Sequence, residues 1–256
     1  MRICLYLFII LILPLVSCTQ SSNSGSSHEV ESDLLLSKVI SDGKLLYEFS
    51  YDSKRQLVSL QGFAYQDDSY VESYEYNSNG LLEKRSIVDP YSGSTEYYEY
   101  NEKGLIISVT KHFPSSGNMW REEYRYNSKG QIVEGLTFAN EEKRGHVTYK
   151  YDEDGNTIER KEYDNDDHLV SELRFEYDSQ RNPYPLNSPV DIAKKNNVVY
   201  FYSFHAVMSY PPPQYLSIFE YNSAGLPVKE TRVHTSGPSG REPQVIEYIY
   251  ISKSGQ

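Results

Sequence analysis

The chain has 256 residues, a formal net charge of −11 and two cysteines, Cys4 and Cys18. An acidic chain with scattered lysines is a poor partner for nucleic acid, or for anionic lipid approached through the protein surface. So few cysteines exclude an internal disulfide framework and a thiolate metal site.

The chain begins Met1-Arg2 and continues as an almost unbroken apolar run, Ile3 to Val16. A basic start, a short apolar core and a small residue before the cut mark a secretory signal. The run is shorter than the roughly 20 residues that a membrane-spanning helix needs. It ends Leu15-Val16-Ser17-Cys18, which resembles a bacterial lipobox. That resemblance implies cleavage after residue 17 and lipid on Cys18, the new N-terminus. Cys4 leaves with the signal, so lipidation accounts for the one thiol that stays. More than one acyl chain makes such anchoring durable. Residues 18–33 include Thr19-Gln-Ser-Ser-Asn-Ser-Gly-Ser-Ser27, with no large apolar side chain, and are expected to form a lipidated tether.

The body, residues 34–256, repeats one motif, aromatic-x-Tyr-(Asn/Asp)-x-x-Gly. Clear copies are YEYNSNG from Tyr74, YEYNEKG from Tyr98, YRYNSKG from Tyr124, YKYDEDG from Tyr149 and FEYNSAG from Phe219. FSYDSKR from Phe49, FEYDSQR from Phe175 and YIYISKSG from Tyr248 are degenerate copies. A period near 25 residues marks one supersecondary unit per repeat. Tyr-x-Tyr places both rings on one strand face. Asn or Asp opens a tight turn, and Gly80, Gly104, Gly130, Gly155 and Gly225 supply the positive φ that closes it with a bulge. Arg55 and Arg181 replace that glycine, so those turns are expected to be wider or strained.

Two strands per repeat predict an all-β antiparallel meander of about 14–16 strands, either an open curved sheet or a closed soluble porin-like barrel. Strands such as Leu81 to Val88 and Thr157 to Tyr163 carry charge on both faces, which a lipid-facing wall does not tolerate. A one-residue shift at each bulge leaves either face able to hold the tyrosines. The stretch 182–214 is proline-rich around one strong strand, Asn197 to His205, and reads as an elaboration of the same single domain.

These units resemble the YD repeats of Rhs-type cell-surface proteins. The whole chain is similar to a family of uncharacterised lipoproteins with a porin-like β-fold. The lipobox, the tether, DGKLLYEFSYD from Asp42, YDSQRNPY from Tyr177, KKNNVV from Lys194 and EYNSAGLPVKE from Glu220 carry that similarity. It implies fold and location, and brings no catalytic residues.

The histidines, His28, His112, His146, His168, His205 and His234, stand singly without metal-ligand spacing, so no metal is expected. No nucleophile elbow, phosphate loop or dinucleotide fingerprint is present, and no cofactor is expected. Turn chemistry outweighs calcium at Asp152 to Asn156 and at Asp164, Asp166 and Asp167. The carboxylates read as solvated strand residues, although spacing along a meander does not test for a glycosidase pair. Trp120 beside Arg121, with exposed rows at Tyr98, Tyr100, Tyr124 and Tyr126, forms a candidate ligand face; cross-strand packing is the competing reading of those rings. The expectation is a non-enzymatic outer-membrane lipoprotein of the cell envelope, offering a binding or scaffold surface to a glycan or protein. A carbohydrate-active hydrolase or a glycan-capture protein for uptake is the alternative. The membrane contact is through Cys18 only, and the membrane face stays open.

Overall fold

The computed structural model of the chain describes residues 34–63, 69–90, 93–184, 195–206, 214–235 and 242–252. The expected signal, the lipidated cysteine and the tether lie outside them.

The first strands are β1 (Leu34–Ser41), β2 (Lys44–Tyr51), β3 (Leu57–Phe63) and β4 (Ser69–Tyr76). Then come β5 (Leu82–Val88), β6 (Gly93–Tyr100), β7 (Ile106–Phe113) and β8 (Asn118–Tyr126). The second half holds β9 (Ile132–Ala139), β10 (Glu142–Tyr151), β11 (Thr157–Asp164) and β12 (Leu169–Arg181). Last are β13 (Asn196–His205), β14 (Gln214–Tyr221), β15 (Pro227–His234) and β16 (Gln244–Ser252). Each pairs antiparallel with its chain neighbours, and β1 pairs with β16 from Leu34↔Ser252 to Ser41↔Ile246. Of the two expected architectures the chain adopts the closed barrel, which leaves no sheet edge unpaired.

The repeat turns form as their residues dictate. Asn77 Oδ1 accepts the backbone N–H groups of Asn79 and Leu81 at 3.0 Å, and Gly80 N–H donates to the Asn77 carbonyl at 2.9 Å. Gly80 has φ +77°, and the ladder shifts register between Glu75 and Tyr76. The same turn and bulge recur at Asn101, Asn127, Asp152 and Asn222.

The two glycine-less turns resolve differently. Arg55 keeps the ordinary turn, donating to the Asp52 carbonyl at 3.0 Å, by taking φ +67° itself. An L-residue in that region costs about 1–2 kcal/mol, so Arg55→Gly should raise the thermal midpoint. A lower midpoint in a melting scan would refute the strain. At Arg181 no turn forms. Strand β12 runs on through Tyr177 to Arg181, because Pro183 holds Asn182 extended where the next strand would start. Asn182 N–H then meets the Lys195 carbonyl at 2.9 Å, closing the base of the proline-rich excursion. Within that elaboration, residues 185–194 and 207–213 lie outside the described ones.

Pairing settles which face holds the tyrosines. Directly opposed residues share a face, and Tyr98↔Val109 and Tyr124↔Gly135 belong to the interior, where the buried core lies. The turns of the repeat motif, at Asp52, Asn77, Asn101, Asn127, Asp152 and Asn222, all fall at one rim of the barrel, the short-turn rim. Leu34 and Ser252 lie at that rim too, since Tyr250 reaches the carbonyl of Pro227 just after the Asn222 turn. The opposite rim carries the connections after β1, β3, β5, β7, β9, β11, β13 and β15, among them the two-residue turns Asp42–Gly43 and Asn140–Glu141.

Candidate functional site

The interior is layered along the barrel axis, and the motif builds the layers. Nearest the short turns are the second tyrosines of the repeats. The Tyr76 hydroxyl donates to the Leu57 carbonyl at 2.9 Å, Tyr100 to Leu82 at 2.7 Å and Tyr126 to Ile106 at 2.6 Å. Tyr51, Tyr151, Tyr177 and Tyr250 do the same to Leu36, Ile132, Thr157 and Pro227. The carbonyls lie past the end of the ladder between successive hairpins. The β3–β4 ladder, for example, stops at Ser59↔Ser73, two residues beyond Leu57. Each hydroxyl therefore replaces a missing strand partner and clasps one hairpin to the previous one. Burial pushes the Tyr100 and Tyr126 hydroxyls up to about 12. Tyr221 departs from the pattern, donating to the Asp178 carboxylate where β12 overruns its turn.

The middle layer is ionic. Glu72 accepts the Tyr74 hydroxyl at 2.5 Å and Arg85 Nε at 2.8 Å. Arg85 also reaches Glu96 at 3.3 Å, which takes the Tyr98 hydroxyl at 2.7 Å and Lys111 Nζ at 3.0 Å. Glu122 accepts the Tyr149 hydroxyl at 3.1 Å and faces Arg160, which pairs with Glu162 at 3.4 Å. Gly135, opposite Tyr124, makes room, since a Cβ there would stand 2.4 Å from the Glu122 carboxylate. Glu230, 2 % exposed, accepts Ser217 Oγ at 2.6 Å, Arg232 Nε at 2.8 Å and the Tyr248 hydroxyl at 2.6 Å. Tyr184, from the β12–β13 connection, sets its ring edge-on to Phe49 and Tyr248, at 6.3 and 5.9 Å.

Glu96 and Glu122 are shifted in opposite directions. Burial would raise Glu96, but the Tyr98 hydroxyl, Arg85 and Lys111 outweigh it and hold Glu96 below the usual range. Its contribution to stability is present above the unfolded-state value and is lost as pH falls through the folded one. Glu122 moves the other way, raised by burial against the pull of Arg160 and two tyrosine hydroxyls. Its ionised form opposes folding, so stability grows as pH falls through its folded value towards the ordinary carboxylate range. Glu122→Gln, which leaves Arg160 its Glu162 partner, should melt higher than the parent at neutral pH and converge with it in mild acid. A lower melting point at neutral pH would contradict this.

The candidate ligand residues are thus split. Tyr98 and Tyr124 are 6 % and 9 % exposed, and Tyr100 and Tyr126 are clasps, so they are not the exposed rows that the sequence suggested. Strand alternation puts both rings of Tyr-x-Tyr on one face, which pairing assigns to the interior. Trp120 and Arg121 do not act together, because neighbouring strand residues point to opposite faces. Arg121 lies on the outer wall, its guanidinium 4.4 Å over the Phe138 ring and 3.0 Å from Glu141. Trp120 faces inward at the far rim, opposite Lys111, and is 48 % exposed. A shallow cleft of about 340 Å³ on the outer wall is lined by Ile107, Leu136, Arg121 and Arg125. The five turn glycines have the positive φ expected of them.

Sequence reasoning put charge on both strand faces but did not single out the residues that form the interior network. Their signal was present as Glu-x-Tyr-x-Tyr at Glu72, Glu96 and Glu122, and as tyrosine at the second aromatic position in every copy. Asp164, Asp166 and His168 do come together, but Asp164 Oδ1 accepts the N–H groups of Asp166 and His168 at 2.9 Å. That is the turn chemistry seen at Asn77.

No family model and no curated protein matches the chain. Among solved structures it is similar to a porin-like protein from Bacteroides uniformis, with a TM-score of 0.55 and 13 % identity over 84 % of this chain and 96 % of that one. At that identity the likeness speaks to fold alone, a porin-like β-barrel. A TcdB2-TccC3 structure without its hypervariable C-terminal region aligns with 84 % of this chain and 15 % of its own, at 10 % identity and a TM-score of 0.28, which is too low to inform the architecture.

Proposed function

We propose that this chain is a cell-envelope lipoprotein, held on the outer membrane by lipid on Cys18. Its barrel stands in water as a non-enzymatic binding or scaffold body, without nucleic acid or cofactor. The observation that carries this reading is the outer wall. Cross-strand ion pairs stud it, at Lys38–Glu48, Lys84–Glu75, Arg125–Glu134, Lys150–Glu159, Lys161–Glu172 and Lys229–Glu220. Each contributes little to stability in water. In hydrocarbon each charge would be strongly unfavourable, whereas a membrane barrel presents a continuous apolar band. The lipobox-like Leu15 to Cys18 and the polar tether then supply the membrane contact. The inward carboxylates support a non-enzymatic role, because tyrosine hydroxyls and guanidinium groups already occupy them as parts of the wall.

Metabolic labelling with palmitate tests the anchor. Label should enter the parent chain and be lost in Cys18→Ala; equal label in both would refute lipidation at that residue. Protease treatment of whole cells then reports the membrane side, with cleavage placing the barrel outside and protection placing it in the periplasm.

A further inference from the structure

We propose that the end of the barrel interior opposite the short turns is a mouth that binds neutral oligosaccharide, centred on Trp120. This deepens the binding reading above and rests on it.

Three observations converge. First, Trp120, inward-facing near the start of β8, is the most exposed aromatic ring among the described residues, with about half of its surface open. Among the described residues nothing accepts its indole N–H, so both a ring face and a donor are available. Second, the polar groups around it suit an uncharged, hydroxyl-rich ligand. Lys111 lies directly opposite Trp120, its ammonium 3.0 Å from Glu96 and 5.5 Å from the Phe113 ring centre. Farther round the interior, Arg232 lies 4.5 Å over the Tyr215 ring and is neutralised by Glu230, and Arg160 by Glu162. Each of these cations has its counter-ion in place, so the mouth has hydrogen-bonding capacity without a strong field for an anion. Stacking a sugar ring on an indole, with hydroxyls bonded to the indole N–H and to the partly exposed Lys111 ammonium, fits that combination. Third, the start of β1 and the end of β16, paired at Leu34↔Ser252, lie at the opposite rim, away from Trp120.

The test uses the only tryptophan in the chain as its own reporter. The full-length protein in detergent is titrated with cello-, chito-, malto- and xylotetraose at up to millimolar concentration, following Trp emission and, in parallel, binding heat. A saturable emission change with at least one sugar is expected. By calorimetry Trp120→Ala should weaken that binding at least about tenfold. Arg121→Ala, on the outer wall, should leave it unchanged. Trp120 is half-exposed, so its replacement leaves the fold intact, as a circular dichroism melt would verify. No emission change and no heat with any of the four sugars overturns the mouth and leaves the lipoprotein reading standing. Equal binding by Trp120→Ala also overturns it. Chromatography of the bound sugar separates the two proposals: intact sugar upholds both, whereas cleavage upholds the site and refutes a non-enzymatic role.

Discussion

Arg85→Ala is expected to lower the unfolding free energy by about 3–5 kcal/mol, the cost of breaking a buried ion pair by removing one partner. Arg85 sits on the inward face of β5 between Glu72 at 2.8 Å and Glu96 at 3.3 Å, and both carboxylates are nearly inaccessible to water. Removing the guanidinium leaves Glu72 only the Tyr74 hydroxyl, while Glu96 retains Lys111. Glu72 therefore accounts for most of the penalty, and adding Glu72→Gln to Arg85→Ala should recover a large part of it. The neighbouring Lys84 pairs with Glu75 on the outer wall, so Lys84→Ala should hardly move the transition. Urea unfolding of the four proteins decides the matter. If Arg85→Ala and Lys84→Ala shift the midpoint equally, the assignment of faces is wrong.

Removing the tyrosine clasps should have a comparable cumulative effect. Tyr76→Phe, Tyr100→Phe and Tyr126→Phe each keep the ring but leave the Leu57, Leu82 or Ile106 carbonyl without its donor. An orphaned buried acceptor costs about 1–3 kcal/mol. Successive clasps stand two strands apart, roughly 10 Å, so the three effects should add. Tyr97, 44 % exposed on the outer wall, provides the control, and Tyr97→Phe should shift stability by less than about 0.5 kcal/mol. Denaturant titration of the triple variant would contradict the clasp if its loss matched that of Tyr97→Phe.

Much of this fold was legible in the sequence because the repeat is local. Asn77 with Gly80 specifies a turn through contacts within five residues, and the same chemistry recurs along the chain. The bulge that follows each turn was legible too, but its effect on facing was not. A one-residue ambiguity there inverts every side chain beyond it, and only closure of the barrel fixes the choice. The face that holds the tyrosines therefore stayed open in the sequence, and the closed barrel puts them on the interior. The contrast between Arg55 and Arg181 was hidden for a similar reason. Both replace the turn glycine, yet one takes the positive φ and the other, with Pro183 close behind, lets its strand run on. The Glu72–Arg85–Glu96–Lys111 network joins four strands, and its members are ordinary charged strand residues until the register between hairpins is known. The sequence paired Trp120 with Arg121, a neighbour that strand alternation sends to the opposite face.

The central claim is that the barrel stands in water and that lipid on Cys18 is its membrane contact. Fractionation of cells producing Cys18→Ala, lysed without detergent, tests it most directly. The account predicts a variant that remains in the supernatant after ultracentrifugation, β-rich by circular dichroism and monodisperse by light scattering, while the parent sediments with membranes. A Cys18→Ala protein that stays with the membrane and needs detergent for release would contradict it, and would place the outer wall in lipid.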